Sequence, residues 1–132
     1  LKWVCFIIFT KKLNLISNII DMITKKKCIP CQGGIPPLKS KEISKLLIQL
    51  ENGWEVYKNK EIRKKYLFSK YADAIIFSNK IADLAEEEDH HPLIHINYKE
   101  VVIILFTHKI NGLHENDFIL ASKCDLILKS LI

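Results

Sequence analysis

The chain has 132 residues and a formal net charge of +5, from 20 basic and 15 acidic side chains. A single domain of this length buries about two thirds of the surface that its unfolded chain exposes. The excess positive charge lies in residues 1–27, so residues 28–132 carry 14 basic and 14 acidic groups. Direct binding of nucleic acid needs Lys or Arg clustered on one face of the folded part. The neutral balance of residues 28–132 argues against that class of function.

Residues 1–37 are predicted to be a basic, apolar leader followed by a linker. Lys11 and Lys12 separate the apolar runs 3–9 and 13–23, so neither run reaches the roughly 18 residues of a membrane span. No small-residue cleavage site of a secretory signal peptide follows them. The second run has helical spacing, which predicts a targeting or docking helix, a helix covering part of the domain, or a poorly ordered extension. We expect a cytoplasmic protein, with organellar targeting by the leader as the alternative.

Two cysteines, Cys28 and Cys31, lie in the linker ahead of a Gly-Gly-Ile-Pro-Pro break. Cysteines at this spacing make half of a zinc site, but Cys5 and Cys124 do not supply a second pair of the same kind. We therefore interpret the linker as solvated, with reduced thiols, in preference to a metal or redox site. The break also predicts that the leader is uncoupled from the domain and dispensable for chemistry.

Residues 38–132 are predicted to form one domain with an α+β fold. Ser40 can cap a first helix, which Asn52 and Gly53 end. Two strands, a long helix, two further strands and a last helix follow, at residues 54–57, 62–68, 71–87, 93–97, 100–107 and 115–131. This order is not the alternation of a parallel sheet. It predicts a four-stranded antiparallel sheet with helices packed on one face.

The apolar run at residues 101–106 bears on assembly. It is too hydrophobic to be left open as the exposed edge of a sheet. We therefore predict a homodimer formed across strands.

All five histidines lie within 25 positions, in the segment 86–117. Imidazole titrates near neutral pH and can act as acid or base. Pro92 disfavours helical backbone at His91, which predicts that the preceding helix ends there and leaves His90 and His91 at its negative end. His108 follows a neighbouring strand, so its environment can differ, and that difference lets one imidazole be an acid and another a base.

The spacing of this segment resembles the pterin-4a-carbinolamine dehydratase family, also known as the dimerisation cofactor of a homeodomain transcription factor. The matching positions are Glu86, His90, His91, Pro92, Tyr98, His108 and Asp117. A less specific likeness runs through the aromatic residues upstream and extends over residues 38–127. His114 departs from the family, which commonly has Ser or Thr at this helix cap. Loss of the cap costs about 1 kcal/mol.

The resemblance implies a dehydratase that removes water from a 4a-hydroxytetrahydropterin to give quinonoid dihydropterin, in pterin cofactor recycling. It implies no metal and no redox cofactor, because the pterin is the substrate. His90 and His108 would be the acid/base pair and His91 would bind the pterin. The substrate-binding residues would be Glu86, Asp89, Asp117 and Trp54: the carboxylates orient imidazoles or accept pterin N–H groups, and Trp54 flanks the ring. His95 and His114 are interpreted as surface residues.

The implied partners are a second copy of the chain, as a homodimer or dimer of dimers, and an aromatic amino acid hydroxylase coupled to the same cycle. A different class of function is a non-catalytic binding protein that stabilises a transcription factor dimer. A third is a metal-dependent hydrolase with His90, His91, His108 and Asp117 as ligands. For Trp54, Tyr98 and Phe68, packing competes with substrate contact, because large aromatic side chains usually serve burial.

Overall fold

The computed structural model describes residues 2–132, with the side chains of residues 10–15, 17–18 and 20–132. Four α-helices, four strands and one 3₁₀ turn follow one another in the described chain. Their order is α1 (Lys2–Thr24), α2 (Ser40–Leu47), β1 (Glu55–Tyr57), β2 (Glu61–Leu67), α3 (Tyr71–Glu88), β3 (Leu93–Asn97), β4 (Glu100–Leu105), the 3₁₀ turn (His108–Ile110) and α4 (Glu115–Leu131).

The four strands form one antiparallel sheet in the order β1-β2-β4-β3. Burial alternates along β4, where Val101, Ile103 and Leu105 are fully buried and their neighbours only half-buried. The buried side chains join Phe77 of α3 and Phe118 of α4 in one core. Each such residue contributes about 1.5–3 kcal/mol by leaving water. The predicted α+β fold with a four-stranded antiparallel sheet is confirmed.

The position of β4 corrects the argument made for assembly. Residues 101–106 are not an open edge, because β4 is paired on both sides, with β2 and with β3. The edge strand at this side of the sheet is β3, which leaves Leu93 and Ile96 each 44% exposed. The homodimer itself stays a prediction.

Several element ends differ from those predicted, including the end of α2, which lies at Leu47 and not at Asn52 and Gly53. Helix α3 ends at Glu88, one residue beyond the predicted range 71–87 and three residues before the end at His91 inferred from Pro92, because Asp89 takes the left-handed conformation (φ 49°, ψ 40°) that closes a helix. Strand β4 stops at Leu105, and Thr107 instead pairs with Gly112 across the 3₁₀ turn. Lys39 is the N-terminal cap of α2, which Ser40 was predicted to cap.

The leader is packed against the domain, which contradicts the predicted uncoupling, whereas the linker that follows it is largely exposed, as predicted. Helix α1 contacts α4, and Ile23 near the end of α1 is only 1% exposed and belongs to the core. Beyond it, the Ile29 backbone bonds to the side chain of Asn116. Residues 32–37 are exposed. In the part of the chain that the structure describes, no helix is long and apolar enough to cross a membrane.

Candidate active site

A buried imidazole–carboxylate pair, His90 with Asp117, lies where the end of α3 meets the start of α4. The Nε2 atom of His90 is 2.7 Å from Oδ1 of Asp117, and the side chains are 8% and 0% exposed. The Thr107 hydroxyl donates to Asp117 Oδ2 at 3.0 Å, and the His114 N–H donates to the same oxygen at 2.8 Å. A buried carboxylate needs such donors to remain ionised. The positive end of the α4 dipole favours the same state.

These contacts determine the tautomer of His90. An ionised carboxylate can only accept hydrogen bonds, so the proton between the two groups belongs to Nε2 of the imidazole. Within the described residues, no hydrogen bond involves Nδ1 of His90. Nδ1 is therefore the ring nitrogen of His90 that has no partner among the described residues.

His114 caps α4 despite its departure from the family. Its Nδ1 accepts the Asn116 N–H at 3.1 Å, while its own N–H donates to Asp117. This is a reciprocal capping box with imidazole in the place of a hydroxyl. No cap is lost at this position, and His114 is half-buried and not fully exposed on the surface.

A second imidazole–carboxylate pair, His91 with Glu86, lies on the surface. His91 Nε2 is 2.7 Å from Glu86 Oε1, and the side chains are 56% and 80% exposed. Solvent competes with such pairs, which contribute little to stability. Of the remaining predicted residues, Asp89 is exposed at the end of α3.

His108 begins the 3₁₀ turn and is exposed to solvent. Its ring centroid lies 4.1 Å from that of Phe106, with the planes tilted by 55°. The bridge between Thr107 and Gly112 closes the loop that carries it. The neighbouring Lys109 donates to the carbonyl of Cys31 at 3.1 Å.

The three predicted catalytic histidines, His90, His91 and His108, line one open cleft of about 310 Å³. This volume is at the small end of the range for small-molecule sites. Other residues around the cleft are Pro30, Cys31, Asp89, Phe106, Thr107 and Lys109. Sequence reasoning missed Thr107, whose only signal is its place before His108 at a strand end. It also missed Pro30 and Cys31, which no local pattern connects to the histidines.

Trp54 does not reach this cleft. It is 6% exposed, and its indole N–H donates to Asp125 at 2.8 Å. Lys64 and Tyr66 bond to the other oxygen of Asp125, at 2.7 and 2.8 Å. Burial, with Asp125 close by, raises the pKa of Tyr66 far above its ordinary value. This cluster anchors α4 to β2 and is separate from the residues around the histidines.

The His, Cys, Asp and Glu side chains of the described chain do not converge in any group of three or more that could hold a metal ion. The four side chains of the hydrolase alternative are instead divided between the two imidazole–carboxylate pairs and His108. The hydrolase alternative therefore has no ligand cluster among the described residues.

The fold and the cleft define a small α+β protein with an open cleft lined by three histidines. The chain belongs to the pterin-4a-carbinolamine dehydratase family, because residues 36–127 match the family profile described as Pterin 4 alpha carbinolamine dehydratase.

Similar proteins carry related names. A Rickettsia canadensis protein called "Putative pterin-4-alpha-carbinolamine dehydratase" is 51% identical over 106 residues, which cover 80% of this chain and 97% of that protein. A Rubrobacter xylanophilus protein of the same name is 44% identical over 103 residues, covering 78% and 95%. A solved structure described as a transcriptional coactivator/pterin dehydratase from Brucella melitensis has a TM-score of 0.65 at 33% identity, covering 69% of this chain and 97% of that one.

Another solved structure, of a pterin dehydratase-like protein, is described as a RuBisCO assembly factor in the α-carboxysome. It has a TM-score of 0.51 at 25% identity, and the match covers 58% of this chain and 90% of that one. This fold therefore occurs both in proteins named as enzymes and in one named for assembly.

Proposed function

We propose that this protein dehydrates a 4a-hydroxytetrahydropterin to quinonoid dihydropterin, by histidine acid/base catalysis and without a metal, in pterin cofactor recycling. The observation that carries the proposal is the buried His90–Asp117 pair beside a cleft that His91 and His108 also line. Loss of water needs one proton delivered to the departing 4a-hydroxyl and one removed from the ring nitrogen next to it. Two imidazoles in different environments can perform these two transfers.

We assign His90 as the base and His108 as the acid. The carboxylate of Asp117 stabilises the imidazolium that forms when His90 Nδ1 takes the ring-nitrogen proton, as the aspartate of a catalytic triad does for its histidine. His108, in contact with solvent, can be reprotonated after it gives its proton to the leaving hydroxyl. His91 binds the pterin, with Glu86 orienting its imidazole at 2.7 Å.

The test is a stopped-flow measurement of quinonoid dihydropterin formation. An aromatic amino acid hydroxylase, the proposed partner in the cycle, generates the carbinolamine, and the purified protein is then added. We expect formation to be faster than the spontaneous dehydration, and equally fast after treatment with a chelator. A rate equal to the spontaneous one would refute the dehydratase. Stoichiometric zinc or iron bound at the histidines would refute the metal-free mechanism.

A non-catalytic binding protein is the second candidate function. The descriptions of the two solved neighbours, one a coactivator as well as a dehydratase and one an assembly factor, favour it. Binding to a macromolecule does not require a buried ionised carboxylate behind an imidazole, which is costly to bury. Intact binding to a protein partner by a His90→Ala, His108→Ala double variant, together with no dehydration by the wild type, would favour this second function.

We also propose that two copies pair along the edge of β3. This strand is unpaired on one side within the described chain, and it exposes Leu93 and Ile96. An exposed apolar edge is a template for pairing with another chain. Light scattering at micromolar concentration should give at least a dimer, and Ile96→Lys should shift it toward the monomer. Ile48→Lys, at a 78% exposed position after α2, is the matched control. A monomeric wild type would contradict the proposal.

A further inference from the structure

The segment that joins α1 to the exposed linker, residues 28–31, crosses the start of α4 and ends at the histidine-lined cleft. We call this segment the strap. Pro30 and Cys31, at its end, line the cleft together with His90 and His108. The family match begins at residue 36. The strap is therefore a wall of the site that lies outside the matched domain.

The side chain of Asn116 holds the middle of the strap by two hydrogen bonds. Its Oδ1 accepts the Ile29 N–H at 3.1 Å, and its Nδ2 donates to the Ile29 carbonyl at 2.7 Å. Asn116 is only 2% exposed, and its own N–H is bonded to the capping imidazole of His114. The N–H and the carbonyl of Ile29 are thus both bonded to one buried side chain, which would lose two part-buried hydrogen bonds if it turned away.

The beginning of the strap is fixed by Glu88, the last residue of α3. Its Oε2 accepts the Cys28 N–H at 2.8 Å, and its Oε1 pairs with Lys123 of α4. Burial alone would raise the pKa of Glu88, but the Lys123 ammonium and the Cys28 N–H lower it below its ordinary value. Burial, together with the Glu88 charge, raises the pKa of the Cys28 thiol to about 12. The protonated thiol donates a hydrogen bond to the Asn116 carbonyl at 3.7 Å.

The end of the strap is tied to the loop that carries His108. Lys109, the next residue, donates to the Cys31 carbonyl at 3.1 Å. The strap is therefore attached to α3, which precedes His90 and His91, to the 3₁₀ turn that begins with His108, and to α4, which carries Asp117. Its position relative to His90 and His108 is determined by the same helix ends that determine theirs.

We propose that the strap is a substrate-contacting wall of the pterin cleft and that Asn116 is the positioning residue that sets its place and thereby the affinity for pterin. This inference rests on the proposed dehydratase function. Pro30 offers an uncharged, apolar surface suited to the flat face of a bicyclic ring. The histidines, on the other elements, supply the groups that exchange protons. The leader, expected from sequence to be dispensable, is in this proposal part of the site.

The first test compares Asn116→Ala with Ser122→Ala in the full-length chain. Ser122 is a matched control, because it is also buried on α4 and its hydroxyl, among the described residues, bonds only to the Ile119 carbonyl of the same helix. For Asn116→Ala we expect about a tenfold rise in KM and in the Kd for 7,8-dihydrobiopterin, which is within the effect of the two hydrogen bonds that the substitution removes from the strap. We expect a smaller change in kcat, because the contacts of Asp117 with His90, Thr107 and His114 remain. Ser122→Ala should bind like the wild type. Unchanged KM and Kd in a folded Asn116→Ala would overturn the proposal.

The second test needs no substitution in the strap. Cys31 is partly exposed at the cleft, whereas Cys124 is fully buried and burial raises its pKa. In a Cys5→Ser background, the alkylation rate of Cys31 is followed by peptide mass spectrometry with and without saturating 7,8-dihydrobiopterin. Bound pterin should slow alkylation at least about fivefold, by the loss of access that a buried ligand surface imposes. Equal alkylation rates of Cys31 with and without saturating pterin would show that the strap does not contact the substrate.

The two tests separate the inference from the proposed function. If the wild type dehydrates the pterin but the pterin does not protect Cys31, the proposed contact with the strap is refuted and the dehydratase is not. Absence of dehydration with protection of Cys31 refutes the dehydratase and supports a pterin-binding wall.

Discussion

The protein holds two imidazole–carboxylate pairs with the same geometry in opposite environments. His90–Asp117 and His91–Glu86 both have N···O distances of 2.7 Å, yet the first pair is 8% and 0% exposed and the second 56% and 80%. Water screens the second pair, so its interaction is weak, whereas the first operates in a medium where charges interact strongly. His90 and His91 are adjacent in the sequence, but the fold places them in environments that differ in solvent exposure and in the strength of their interactions.

The largest expected difference between the pairs is in catalysis. His90→Ala should lower the dehydration rate by roughly 100- to 10,000-fold, the usual contribution of a general acid or base, and His108→Ala should do the same. The dehydration rate of the double variant should fall by much less than the product of the two single-variant factors, because the two residues act as a unit. His91→Ala should chiefly raise KM. Wild-type rates in both single variants, measured by stopped flow, would show that the assignment is wrong.

The carboxylates sharpen the same comparison. Asp117→Asn should lower kcat by about 100-fold or more, because the amide no longer stabilises the imidazolium of His90. It should also lower the free energy of unfolding by about 1–3 kcal/mol, since buried donors lose their charged partner. Glu86→Gln is the matched change in the exposed pair. It should alter the free energy of unfolding in urea by less than about 0.5 kcal/mol. Equal effects of the two substitutions would contradict the contrast.

Two glutamates of α3 extend the contrast to pH. The pKa of Glu88 is lowered in the folded protein, although burial alone would raise it. Its ionised carboxylate therefore stabilises the fold at every pH above the ordinary glutamate pKa of about 4.3. This stabilisation is lost as the pH falls through the lower pKa of the folded state. Glu88→Gln should therefore lower the free energy of unfolding by about 1–3 kcal/mol at pH 7. The difference from the wild type should shrink on acidification below about pH 4. Glu86→Gln, two positions earlier, should show a small difference throughout. If Glu88→Gln stayed less stable than the wild type at low pH, the contribution of Glu88 would come from its packing and not from its charge.

Much of the fold could be predicted from sequence because its signals are local. Alternating burial in β4 and the apolar spacing of α3 and α4 are properties of neighbouring residues. The motif likewise pointed to the three histidines that surround the cleft.

What sequence could not show depends on contacts between distant residues. Ile29 and Asn116 are 87 positions apart, and their bond becomes visible only when α1 has packed on α4. Trp54 fitted the idea of a ring-stacking residue, but tertiary packing directs its indole to Asp125, 71 positions away. The left-handed backbone at Asp89, which ends α3 before His91, could not be predicted from a glycine, because none is present at that position.

Asp117 takes part in two structures at once, the start of a helix and the partner of His90. Its Oδ2 closes the first turn of α4 through the His114 N–H, while its Oδ1 holds the imidazole. The first turn of a helix opens more easily than the whole fold. When it opens here, the carboxylate that orients His90 leaves with it, so the fraying of one helix end and the loss of the proposed base are a single event. A local opening of this one turn would thus be enough to remove the partner of the proposed base, without unfolding of the rest of the protein.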